Sequence, residues 1–221
     1  MKIIDLSMSL DNECQTCNVP WHTKVSVERL GTIEEVGRNT PRFVLGSHSA
    51  THMDAPSHFY EGAKGIDEVD LSCCIGEITC VDMRHKKTND VVRLADIKDM
   101  QITKRMLFVF GWDKWWKTSN YYKGTPYFEA DAIEHLVNQG MRFMAMDTPS
   151  PDTTSAIGKK DDSPMHKLLL SKGIIIVEYL TNTSEIDFSK KHEVIALPLK
   201  IKGADGSPAR VVLKEENEIR E

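Results

Sequence analysis

The feature that most constrains this chain is a pattern that occurs twice: a helical stretch, a glycine, then an apolar run with no polar alternation. Residues 128–139 carry apolar side chains at Ala132, Ile133, Leu136 and Val137, a helical spacing, and Gly140 marks a stop. A strand is predicted directly after it, over residues 143–146. The pattern returns over residues 163–171, Gly173 and residues 174–180, with Ser163 predicted as N-cap and Pro164 as first helical residue. Strands apolar on both faces are covered on both sides, so this alternation predicts an α/β domain. Further strands are predicted over residues 2–6, 42–45, 78–83 and 106–110. The N-terminal third and the tail read as more purely β, with residues 194–202 and 209–214 placed around an Asp205-Gly206 turn. A compact mixed sheet or β-barrel-like core with outer helices is the expected fold. No repeat or linker divides residues 1–221, so one domain is expected.

Composition excludes several classes of partner. Lys plus Arg is 28 and Asp plus Glu is 33, a formal net charge of −5, which argues against a phosphate-backbone binder and leaves nucleic acid unexpected. No run approaches the roughly 20 apolar residues of a membrane span. The start, Met1-Lys2-Ile3-Ile4-Asp5-Leu6-Ser7, lacks the apolar stretch of a signal peptide, so a cytoplasmic location without membrane association is expected. Five cysteines, with Cys73 and Cys74 adjacent, do not form a disulfide framework. Cys14-x-x-Cys17 has no second pair and reads as incidental thiols rather than structural zinc.

The chemistry is concentrated in His48-Ser-Ala-Thr-His52-Met-Asp54-Ala-Pro-Ser-His58. Two histidines four apart share a helix face, but Ser49 stands where a zincin has its glutamate, and Pro56 disfavours helix at Ala55. Extended backbone suits the segment better: positions 48, 52 and 54 have one parity, which puts all three side chains on one side. Imidazole and carboxylate suit Zn²⁺ or Mn²⁺, and three protein ligands leave a coordination position open. Two acids stand in costly surroundings. Glu178 interrupts the run Gly-Ile-Ile-Ile-Val-Glu-Tyr-Leu, where a carboxylate needs a cation, an Arg or a proton, and Asp147 ends Met-Arg-Phe-Met-Ala-Met. His166, in Pro164-Met-His-Lys, has a spacing that decides little by itself.

These residues resemble the cyclase-like metal-dependent hydrolases, the family that includes bacterial kynurenine formamidase and isatin hydrolase. The family pattern His-x-Gly-Thr-His-x-Asp-x-Pro-x-His is met by His48 to His58 except at Ala50, a change read as asking the backbone for an ordinary φ. Asp147-Thr-Pro-Ser with Asp152, His166 and Glu178 at the family's separation, and the tail Leu197-Pro-Leu-Lys-Ile-Lys-Gly-Ala-Asp-Gly-Ser-Pro extend the match over almost the whole chain. The resemblance implies that His48, His52 and Asp54 hold one divalent metal. It also implies that Asp54 bridges to a second metal held by His166 and Glu178, giving one or two ions per chain, and that His58 is the proton shuttle. It implies a barrel-like α/β fold of the swivelling β/β/α kind, a homodimer or larger homo-oligomer, and a small-molecule substrate, as in tryptophan catabolism. Trp21 is a candidate substrate contact, although Pro20-Trp21-His22 departs from the formamidase pattern.

Hydrolysis of a carbon–nitrogen bond in an amide, formamide or lactam is therefore the expected activity. A metal-assisted cyclase, lyase or dehydratase, a lactone hydrolase, or a non-catalytic metal-binding protein are the alternatives on the same residues. His22, His85, His135 and His192 read as surface residues, and Trp112, Trp115, Trp116, Tyr121 and Tyr122 as packing or an interface rather than a substrate wall.

Overall fold

The computed structural model describes residues 1–159 and 161–216; Lys160 and residues 217–221, part of the domain expected over 1–221, lie outside the described residues. Its strands in chain order are β1 (Lys2–Asp5), β2 (Ser26–Gly31), β3 (Thr40–Val44), β4 (His52–Asp54), β5 (Ile75–Asp82), β6 (Val91–Val92), β7 (Arg105–Val109), β8 (Tyr127–Phe128), β9 (Phe143–Met146), β10 (Ile175–Glu178), β11 (His192–Pro198) and β12 (Gly206–Glu215). Its helices are α1 (Ile33–Val36), α2 (Leu94–Ile97), α3 (Ala130–Asn138) and α4 (Pro164–Ser171).

Seven strands, in the order β12, β11, β5, β7, β9, β10 and β4, close into a barrel-like ring because β4 pairs with both β10 and β12. This is the mixed α/β fold with a barrel-like core that the sequence pattern predicts. The run β5, β7, β9, β10 is parallel, with α3 in the crossover from β7 to β9 and α4 in that from β9 to β10. The hairpin β2–β3 stands outside the ring, with Leu30, Phe43 and Val44 exposed.

Alternation along the parallel strands divides the core in two. Leu107, Val109, Phe143, Ala145, Ile175 and Val177 turn inward onto Met53, Ala196, Val211 and Leu213. Met106, Phe108, Met144, Met146 and Ile176 turn outward onto Ile133 and Leu136 of α3 and Leu169 and Leu170 of α4. Each such aliphatic side chain contributes roughly 1.5–3 kcal/mol by leaving water. Glu178 has the outward parity of Ile176, and His52 and Asp54 flank the inward Met53. The β4–β10 register sets Glu178 opposite His52 and Ile176 opposite Asp54. Three polar side chains are thereby delivered to the helix side of the seam where the ring closes.

Several local expectations change. Gly140 and Gly173 do end their helices in left-handed conformations. Ser163 occupies the N-cap position before Pro164 as expected, but its side chain makes no capping bond: its hydroxyl bonds Asp162, and the carboxylate of Asp152 accepts from Met165 N and His166 N at 2.7 and 3.1 Å. Asp205-Gly206 is not a two-residue turn, because residues 199–205 form a longer loop and Gly206 already opens β12. Ala50 has φ of 50°, not an ordinary value. Buried Asp147 ties the end of β9 to the neighbouring loops, accepting from Phe110 N, Trp112 N and the Thr183 hydroxyl.

Candidate metal centre

His52, Asp54 and Glu178 are buried, and α4 adds His166 from the other side of the seam. The His52 Nε2 atom lies 3.3 Å from Asp54 Oδ1 and 3.3 Å from Glu178 Oε2. The His166 Nε2 atom lies 3.5 Å from Asp54 Oδ2 and 3.2 Å from Glu178 Oε1. His48 arrives from the turn before β4 and sets Nδ1 2.8 Å from Asp54 Oδ1. The five side chains named as ligands in the sequence thus meet around one pair of carboxylates. The extended parity holds only within β4. The chain reverses at Ala50, and it is this turn that swings His48 to the same side.

Each imidazole is oriented through its second nitrogen. His52 Nδ1 donates to the Ala50 carbonyl at 2.7 Å, His166 Nδ1 donates to Asp152 Oδ2 at 2.7 Å, and His48 Nε2 donates to Asp205 Oδ2 at 2.9 Å. That leaves one nitrogen of each ring facing the carboxylates, the arrangement characteristic of metal-binding histidines. His58 sits in the turn Pro56–His58, with Nδ1 2.8 Å from Asp205 Oδ2.

Both oxygens of Asp54 and Oε1 of Glu178 are buried and lack an aligned hydrogen-bond donor, although nitrogens lie close by. Orphaned carboxylate oxygens are costly unless a cation satisfies them, so the donor set fits a divalent metal. The ligand atoms of His52, Asp54 and Glu178 lie within 4.8 Å of one another, as do those of His48, Asp54 and His58. Asp54 belongs to both groups.

The electrostatics point the same way. Burial disfavours charge on His52, yet Asp54 and Glu178 outweigh it and raise its pKa to about 10. His166 and His48 are likewise raised against the effect of burial, by Glu178 with Asp152 and Asp54 in one case and by Asp54 with Asp205 in the other. Burial would raise Asp54, but His48, His166 and His52 hold its carboxyl well below the usual range. A divalent cation satisfies the same carboxylates in exchange for these protons.

The cluster forms the floor of a cavity of about 460 Å³ whose walls include Trp21, His22, Phe59, Pro149, Ile157 and Tyr179. Trp21 stands at this cavity, 68% exposed. His22 is not a free surface residue: it is half-buried in the wall, 6.1 Å from the His48 ring and nearly parallel to it. His192 is buried too, on β11. Trp112 and Tyr121 are buried core, Trp116 and Tyr122 pack against it beside Tyr179, and Trp115 is exposed, so none of that aromatic stretch lines the cavity. All five cysteines are free, and Cys17 reaches the cavity wall. Asp205 and Asp152 were given no role by the sequence. Asp205 lies 157 positions from His48, beyond any local pattern, and Asp152 was visible only as part of the motif beginning at Asp147.

A family model described as Putative cyclase matches residues 4–153. Kynurenine formamidase of Bacillus thuringiensis subsp. konkukian is 30% identical over 222 residues, covering 96% of each chain. The crystal structure of an isatin hydrolase bound to the product analogue thioisatinate superposes with a TM-score of 0.85 at 23% identity, over 97% of this chain and 93% of that one. A structure described as a potential metal-dependent hydrolase with cyclase activity gives 0.73 at 25% identity over 98% of both. Among the described residues no helix is long and apolar enough to cross a membrane.

Proposed function

The chain is an enzyme of the putative cyclase family of hydrolases, and from that premise we propose that it cleaves a carbon–nitrogen bond in a small amide, formamide or lactam at a centre holding Zn²⁺ or Mn²⁺. The observation that carries this reading is the set of orphaned oxygens on Asp54 and Glu178, ringed by imidazole nitrogens at the floor of an open cavity. His48, His52, Asp54, His166 and Glu178 are the residues that would hold the metal, with Asp54 shared if two ions bind. When bound, the metal supplies a Lewis acid for the substrate carbonyl and lowers the pKa of water from 15.7 towards about 7.

The residues themselves supply the rest. His58 donates from Nδ1 to Asp205, so its Nε2 is left as the acceptor. An imidazole there can take the proton of the attacking water and return it to the leaving nitrogen, because its free Nε2 accepts a proton and the resulting N–H donates it. Asp54 and Glu178 offset the charge of the metal. Trp21 and Phe59 offer apolar faces at the cavity, suited to a flat substrate.

The test begins with elemental analysis of the purified protein, followed by turnover of a panel of formamides, lactams and lactones in solvent carrying labelled oxygen. One labelled oxygen in the new carboxylate group, none in a released amine, and a large loss of kcat in His58→Ala are expected. Turnover without label in the product sinks hydrolysis in favour of a lyase or cyclase. Metal that raises the melting temperature with no turnover at all leaves a binding protein.

A further inference from the structure

We propose that Asp205 is a positioning residue that fixes His48 and His58 together through one carboxylate oxygen, an assignment that rests on the hydrolase reading above for the roles of the two histidines. Asp205 Oδ2 accepts from His48 Nε2 at 2.9 Å and from His58 Nδ1 at 2.8 Å, and the two rings lie 4.0 Å apart between centroids. A neutral imidazole has one N–H. Spending it on Asp205 leaves His48 Nδ1 directed at Asp54 and His58 Nε2 without a proton. One oxygen thus sets the tautomer of a metal-binding ring and of the proton-carrying ring.

The loop that carries Asp205 is built to hold this position. Ala55 N donates to the Asp205 carbonyl at 2.9 Å, Ile66 N to the Ala204 carbonyl at 2.8 Å, and Gly203 N to Asp67 Oδ1 at 2.9 Å. Gly206 follows and pairs with Asp54 across β12 and β4. A Cβ at Gly206 would stand 2.8 Å from the Met53 carbonyl oxygen and 3.0 Å from His48 Cε1, so glycine is what lets the His48 ring lie against this strand. The Asp205 side chain is 39% exposed. A carboxylate so placed adds little to the core, and its two imidazole bonds are its main engagement. His58 is otherwise loosely held, on a single turn at the cavity edge with its side chain 25% exposed.

Asp205→Asn keeps the shape and should leave the melting temperature within about 2 °C, as expected for a partly exposed side chain outside the core. On Zn-loaded protein with an N-aryl formamide, kcat should fall about 10- to 100-fold while KM stays within about twofold. Zinc affinity, read by chelator competition, should fall by a similar factor through His48. Long-range proton–nitrogen spectra of the histidine rings should show His58 passing from one tautomer to a mixture, a readout independent of turnover. In a His58→Ala background the share of the kcat effect not explained by metal loss should vanish. Unchanged tautomer and zinc affinity overturn the proposal even if activity is lost, and a fall in melting temperature beyond about 5 °C marks a structural role instead. Wild-type protein that binds zinc but turns over no amide, lactam or lactone overturns the hydrolase reading alone, since spectra and affinity still decide Asp205.

Discussion

At the scale of single residues, Ala50 shows how a small side chain holds a demanding position. Its φ of 50° costs an alanine roughly 1–2 kcal/mol relative to the right-handed regions, and its carbonyl receives His52 Nδ1 at 2.7 Å. Glycine relieves that strain but forfeits a buried methyl worth about 0.8 kcal/mol, so Ala50→Gly should be close to neutral. Ala50→Val places a β-branched residue in the left-handed region and should cost at least about 2 kcal/mol, lowering the melting temperature by about 4 °C or more. Thermal unfolding of both variants decides it, and a Val variant as stable as the wild type sinks the argument. The chemistry at positions 48, 52, 54 and 58 was legible because four side chains able to bind a metal or carry a proton in so short a segment are rarely incidental. The turn at Ala50 was not legible, since alanine gives no signal of a positive φ.

Among the elements, α4 and the strands beside it were readable from pattern and β4 was not. The outward and inward runs of β7, β9 and β10 are long and apolar enough to announce themselves. By contrast β4 is three residues, two of them polar, and becomes a strand only because β10 and β12 flank it. The start of α4 was read correctly at Pro164 but for the wrong capping group. Asp152 reaches the first helical amides from a distant loop and in the same gesture fixes His166 Nδ1. Asp152→Ala should therefore act twice. Losing the amide acceptor should cost about 1 kcal/mol, or about 2–4 °C, and freeing the His166 ring should weaken metal binding about 10- to 100-fold. A lower melting temperature with metal affinity intact would reduce Asp152 to a cap.

For the whole molecule, the candidate ligands straddle the seam that closes the ring: two on β4, one on β10 and one on α4, with His48 in the turn leading to β4. A cation bound there joins elements that β4 alone links by short pairings, and it binds only when they are assembled. Free metal at 100 times its dissociation constant should then stabilise the fold by about 2.7 kcal/mol, a shift of about 5–11 °C for a chain of this size. Chelation should remove the shift, and Zn²⁺ or Mn²⁺ should restore it. The gap should also depend on pH. In the stripped protein the proton on His52, held up to about 10 by Asp54 and Glu178 against burial, contributes stability that is complete below its unfolded value of 6.5 and is lost as pH rises through about 10. Metal binding becomes easier over the same range, because its ligands must be deprotonated. Melting temperatures of loaded and stripped protein should therefore diverge between about pH 7 and pH 9. A gap that is constant or narrows over that interval means that the protons and the metal do not compete for the same carboxylates, and the centre assigned to Asp54 and Glu178 fails with it.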